Sequence, residues 1–251
     1  MIPKNDAEMD AEAIIANVLS TYTGFNSYND TGTCLISNCE APLRFQTHFT
    51  RPDGFRFDSQ DFCGHCDDDA LPREKSIWTD GYHYSEKNSK GIRQFESLDH
   101  MLAITASKST HTAERILRTL TPNTFKPGTS WHDLNSAKLL SDEKLGDTEC
   151  FHLIGTFRKV EDTEVFIEKG TNLVRRIISK VILTDEDCRQ MQTTIDSKRK
   201  VWKKGGRNSK QIARDLQLLT LAFVPGMDIY TYDFNDILIN GSIDARQYEK
   251  P

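Results

Sequence analysis

Arg44-Phe45-Gln46-Thr47-His48-Phe49-Thr50-Arg51-Pro52-Asp53-Gly54-Phe55-Arg56-Phe57-Asp58 is the stretch that decides the fold class. Phe45, Thr47 and Phe49 alternate with Gln46 and His48, and Phe55 and Phe57 alternate with Arg56 and Asp58. Period two is the mark of strands that bury one face. Arg51-Pro52-Asp53-Gly54 between them reads as a turn, with proline fixing φ and glycine supplying the positive φ of a bulged hairpin. A second hairpin is signalled by Asp80-Gly81, between Ile77-Trp78-Thr79 and Tyr82-His83-Tyr84. Residues 25–95 therefore read as an antiparallel meander.

Outward from the meander the period changes. Ala7, Ala11, Ile14, Ile15, Val18, Leu19 and Tyr22 repeat at helical spacing over residues 6–22, with acids at the start and Thr23-Gly24 as a stop. Ser97 can cap a short helix that buries Leu98, Met101 and Leu102. Ser109 or Thr110 can cap a second that buries Ala113, Ile116, Leu117 and Leu120 before Pro122. Strands are expected again near 134–142, 149–158, 163–168, 172–184 and 227–240. Residues 186–224 read as an insertion between two strands. They carry a basic run of Lys198, Arg199, Lys200, Lys203, Lys204, Arg207 and Lys210, and then a helix near Ile212 to Leu221. The expected class is α+β: one curved antiparallel sheet with an N-terminal helix and a central helical pair over its concave face. Residues 1–251 are expected to form a single domain.

Composition narrows the function classes. In 251 residues, 32 basic and 37 acidic side chains leave a net charge of −5, which does not suit a general nucleic-acid binder. No run approaches the ~18 apolar residues of a helical membrane span. The first residues lack a basic stretch followed by an apolar one, so no signal peptide is visible.

In order and spacing, several motifs resemble the LolA-like group, the lipoprotein carriers of the bacterial periplasm and their uncharacterised relatives. They are Phe49-Thr50-Arg51-Pro52-Asp53-Gly54-Phe55-Arg56, Trp78-Thr79-Asp80-Gly81, and the helical pair ending Leu120-Thr121-Pro122. Cys150-Phe151-His152-Leu153-Ile154-Gly155, Phe166-Ile167-Glu168, Leu173-Val174-Arg175-Arg176-Ile177 and the tail from Gly241 to Tyr248 complete the set. The sequence is closer to the uncharacterised members than to the authentic carrier. The resemblance implies an incomplete β-barrel with an apolar cavity under a helical lid. It implies non-catalytic carriage of lipid or lipoprotein acyl chains in an extracytoplasmic compartment, by a monomer. The compartment would be cytoplasmic if Met1 is the native start. On this reading Arg51 helps hold the lid, and Leu98, Met101, Leu102, Ile116, Leu117 and Leu120 line lid and cavity.

Four cysteines carry the competing reading. Cys34 and Cys39 are placed in a loop before the first hairpin strand, and Cys63 and Cys66 just beyond the second, so both pairs return to one end of the sheet. Together they suit a tetrahedral zinc site in a reducing compartment, or disulfides in an oxidising one. No other cofactor is expected. Cys63-Gly64-His65-Cys66 also reads like a disulfide-isomerase tetrapeptide, but no βαβ pattern surrounds it and Asp67-Asp68-Asp69 would raise a thiol pKa. The seven histidines form no ligand pairing, and neither a nucleophile elbow nor a phosphate loop occurs, so an enzyme is not indicated. The basic run 198–210, with Trp202, is a candidate contact for an anionic membrane surface or an acidic partner.

Overall fold

The computed structural model describes residues 10–37, 39, 41–52, 54–61, 73–80, 82–88, 91–106, 111–124, 130–157, 161–204 and 226–241. Along them run α1 (Ala11–Thr23), β1 (Ser27–Ile36), β2 (Leu43–Thr50), β3 (Gly54–Asp61), β4 (Arg73–Asp80), β5 (Tyr84–Asn88) and β6 (Gly91–Phe95). Next come α2 (Leu98–Ala106), α3 (Thr112–Leu120), β7 (Asn135–Leu139), β8 (Glu143–Leu145), β9 (Thr148–Phe157), β10 (Glu161–Glu168), β11 (Val174–Leu183), α4 (Asp185–Lys204) and β12 (Gly226–Ile239).

All twelve strands join one antiparallel sheet, in the order β6-β5-β4-β3-β2-β1-β12-β11-β10-β9-β7, with β8 on the same side of β9 as β7. The sheet is curved and open, as the α+β expectation requires. It consists of two meanders joined at a central seam, where the first strand pairs the last. That order explains the helical layer. β6 and β7 follow one another among the strands of the chain yet lie at opposite edges, so their connection must cross the whole sheet. α2 and α3 lie on that crossing. α1 packs on α3 and reaches β7, while α2 packs on β5 and β6.

Period two places one side chain per pair of residues on the concave face, and the register aligns these in rows. Leu43, Cys34, Tyr232, Ile177, Val165 and Leu153 lie opposite one another across six adjacent strands, and all are buried. A parallel row runs through Tyr28, Phe49, Phe55, Thr79, Tyr84 and Phe95. α1 adds Ala11, Ile14, Ile15, Val18 and Tyr22, and its first turn is capped by Asp10, whose Oδ1 accepts from the Ala13 N–H at 2.8 Å. Gly32 is needed where the seam is tightest, since a Cβ there would run into the Asp233 carbonyl and the Phe45 ring.

One sequence expectation is corrected. Cys34 is not in a loop: it lies on β1, 1% exposed, within the core. The start of the 186–224 segment is helix, α4, which opens directly after β11 and carries residues 198–204 of the basic run. The helix expected near 212–221 lies outside the described residues. β11 and β12 are hydrogen-bonded neighbours, so the segment joins adjacent strands.

Candidate functional site

The interior between the helices and the concave face collects the residues with unusual surroundings. Arg51 sits at the β2–β3 turn, after Thr50 and before a cis Arg51–Pro52 peptide. Its Nε donates to the Phe25 carbonyl at 2.7 Å, and its Nη2 donates to the carbonyls of Tyr22 at 3.2 Å and Leu120 at 2.9 Å. Tyr22 and Leu120 lie in the last turns of α1 and α3, where backbone carbonyls lack helical partners and carry partial negative charge. One guanidinium from the sheet thus fastens two helix ends, with its carbon 5.4 Å from the centre of the Phe49 ring.

Beneath that point the residues expected to form a lid are packed. Met101 and Leu120 are 0% exposed; Leu102, Ile116 and Leu117 are buried, and Leu98 is partly so. Tyr22, Tyr28, Arg115, Ile116, Thr119, Trp131, Val174, Ile177 and Phe234 surround a void of about 10 Å³. That is room for about one water, far below the ~300 Å³ or more of a ligand pocket. At this point the described residues leave little free volume. A larger recess of about 580 Å³ is polar, bordered by Thr33, Lys144, Arg175, Arg176, Asp233 and Asp236.

Sequence reading missed the charged groups inside. Arg115 on α3 is 8% exposed and pairs through Nη2 with Glu161 of β10, which is 6% exposed. Its guanidinium carbon lies 4.8 Å from the Tyr232 ring centre. Burial works to lower the Arg115 pKa, but Tyr232 and Glu161 outweigh it and hold the pKa above the ordinary value. Asp30 on β1 is 1% exposed and accepts from the Tyr28 hydroxyl at 2.7 Å. Burial pushes its carboxyl up to about 7, with hydrogen bonds from Thr47 and Tyr28 opposing. Strand parity was the available signal: Glu161 falls in step with Val165 and Ile167, and Asp30 with Tyr28 and Cys34.

The cysteines do not act as one set of four. Cys34, Cys150 and Cys188 are thiols, whereas Cys39 is disulfide-bonded. Cys63 and Cys66 lie outside the described residues. A bridged sulfur is no thiolate ligand, and among the described residues no group of three or more His, Cys, Asp or Glu is arranged to hold a metal ion. His152 sits on the face of the sheet away from the helices, stacked 4.3 Å from Phe166, with its nitrogens 3.0 Å from Glu143 and 3.1 Å from Glu164. No side chain of residues 198–204 is described.

No protein-family model matches the chain, and no curated protein matches its sequence. Several solved structures match it along most of the chain. An uncharacterised conserved protein from Thermus thermophilus is 8% identical, with 96% of this chain and 93% of that chain covered and a TM-score of 0.47. LprF from Mycobacterium bovis is 5% identical over 93% and 94% of the two chains, with a TM-score of 0.44. The LolA superfamily protein NE2245 from Nitrosomonas europaea is 8% identical over 96% and 98%, with a TM-score of 0.33. At such identities the likeness is one of fold.

Proposed function

We propose that the protein is a non-catalytic binder of an apolar ligand, a lipid or the acyl chains of a lipoprotein, and that the structure described here is its closed form. The observation that carries this reading is the Arg51 latch. Carbonyls at two helix ends would ordinarily be left to water. Here one side chain gathers three carbonyls over an interior that is mostly apolar. The helix layer is therefore attached by packing, which acyl chains can replace, and by a few polar contacts, of which the Arg51 clasp at the helix ends can open while the Arg115–Glu161 pair lies deeper. Each CH₂ transferred from water into such an interior contributes about 0.8 kcal/mol. The ligand would take the place of side-chain contacts between α3 and the sheet, lined by Leu98, Met101, Leu102, Ile116, Leu117 and Leu120.

The disulfide at Cys39 supports an extracytoplasmic setting, because such bonds persist in oxidising compartments. Monomeric carriage and contact of residues 198–210 with an anionic surface belong to the same proposal, as does a single domain carrying an insertion at 186–224. The test is titration of the full chain with an environment-sensitive acyl probe. Saturable enhancement, competed by lipid, is the expected result. Arg51→Leu should lower stability by roughly 2–3 kcal/mol through loss of charge-assisted hydrogen bonds and should speed entry of the probe. Absence of saturable binding by the parent protein overturns the reading.

A further inference from the structure

α3 carries a charge into the apolar interior, and that charge is incompletely used. Arg115 Nη2 donates to Glu161 and the guanidinium also hydrogen-bonds the Tyr232 side chain, but Nε and Nη1 are buried without an acceptor. The residue borders the small void together with Tyr22, Tyr28, Thr119 and Trp131. On the facing strands Thr163 and Ser179, directly opposite one another, each hold a buried hydroxyl without a hydrogen-bond partner. Buried donors of this kind are costly when dry, and a charged group more so than a neutral one. At Arg115 the interior therefore contains a polar spot with unused donors, and its formal charge is already balanced by the Arg115–Glu161 ion pair.

We propose that the Arg115–Glu161 pair is the head-group subsite of this interior, where the unused N–H groups of Arg115 donate to the uncharged carbonyl oxygens of an ester- or amide-linked acyl ligand. This rests on the apolar-ligand reading above and specifies which acyl ligands it selects. Charge decides the selection. Arg115 and Glu161 sum to zero, so a fatty-acid carboxylate placed beside them would bring an unneutralised charge into a poorly solvated site. An ester or amide carbonyl brings the needed acceptor without net charge. A hydrocarbon of the same length leaves both donors dry. Thr119, which borders the same void, has its hydroxyl donating to the Arg115 carbonyl and accepting from Trp131, and Thr163, two residues along β10 from Glu161, is uncharged, so neither alters the charge balance. Glu161 thus acts as a specificity-determining residue, by cancelling the charge that would otherwise attract free fatty acids.

The experiment displaces a bound acyl probe from the full chain at pH 8 with three competitors of equal chain length: methyl oleate, oleate and 1-octadecene. The parent protein should be displaced by methyl oleate at concentrations at least tenfold below those needed of the other two. Glu161→Gln leaves Arg115 with uncancelled charge, so oleate should become the strongest competitor. The double variant Arg115→Met, Glu161→Leu replaces the pair by apolar side chains of similar size and should bind all three within a factor of two or three. Folding of each variant is checked by its thermal transition, and if Glu161→Gln does not fold, the parent and double variant decide. A parent that binds the probe but ranks the three competitors equally, or prefers oleate, overturns the subsite and leaves the apolar-ligand reading standing. An unchanged ranking in folded Glu161→Gln does the same. No probe binding by the parent overturns both.

Discussion

Asp30 shows how a residue chosen against burial alters the stability of a whole interior. It lies under Tyr28 and opposite Thr47 on the concave face, and its folded-state pKa of about 7 stands well above the ~4 of an unfolded chain. Below pH ~4 both states hold the proton, and folding gains nothing and loses nothing from titration. Between ~4 and ~7 the unfolded chain releases it first, so native stability falls as pH rises, and above ~7 the whole penalty is present. At ~1.4 kcal/mol per pKa unit the penalty is at most ~4 kcal/mol. Asp30→Asn keeps an acceptor for the Tyr28 hydroxyl and removes the charge. Urea unfolding at pH 5 and pH 8 should therefore show a variant more stable than the parent at pH 8, with the difference shrinking toward pH 5. An equal difference at both pH values would show that Asp30 is not ionised at a cost.

At the scale of elements, α3 exists because of what it covers. It has nine residues, below the ~12–15 at which a helix is even marginal alone, and seven of them are buried. Leu117→Ala removes a side chain that is 2% exposed and should cost ~2–4 kcal/mol. Hydrogen exchange should report amides of α3 opening before those of the sheet. Simultaneous loss of protection in both layers would contradict a separable lid. α4 illustrates a different legibility. Its capping box was present in the sequence: the Asp187 N–H donates to Thr184 Oγ1 at 3.1 Å, and the Thr184 N–H donates to Asp187 Oδ2 at 2.9 Å. The helix expected from the sequence, near 212–221, lies outside the described residues.

At the scale of the molecule, everything meets at the seam between β1 and β12. Thr231 lies opposite Leu35 on one side and Ile178 on the other. A proline there removes a ladder donor from a strand paired along both edges and clashes with it, costing ~3 kcal/mol or more. Thr231→Pro should therefore abolish the cooperative thermal transition of the entire chain by circular dichroism. A retained transition near the parent temperature would mean that the two meanders fold without the seam. By itself the sequence determined the hairpins around Arg51-Pro52 and Asp80-Gly81, the helical pair before Pro122, and the apolar parity of most strands. These depend on neighbours a few residues apart, where side-chain period and turn chemistry act directly. Only the tertiary structure decided that Cys34 belongs to the core, because its burial depends on Leu43 and Tyr232 arriving from two other strands. The same holds for Arg51, whose acceptors come from α1, the loop after it and α3, and for Arg115 and Glu161, which lie 46 residues apart. No local pattern encodes a charge pair or a latch whose partners are brought together only when helices cross a completed sheet.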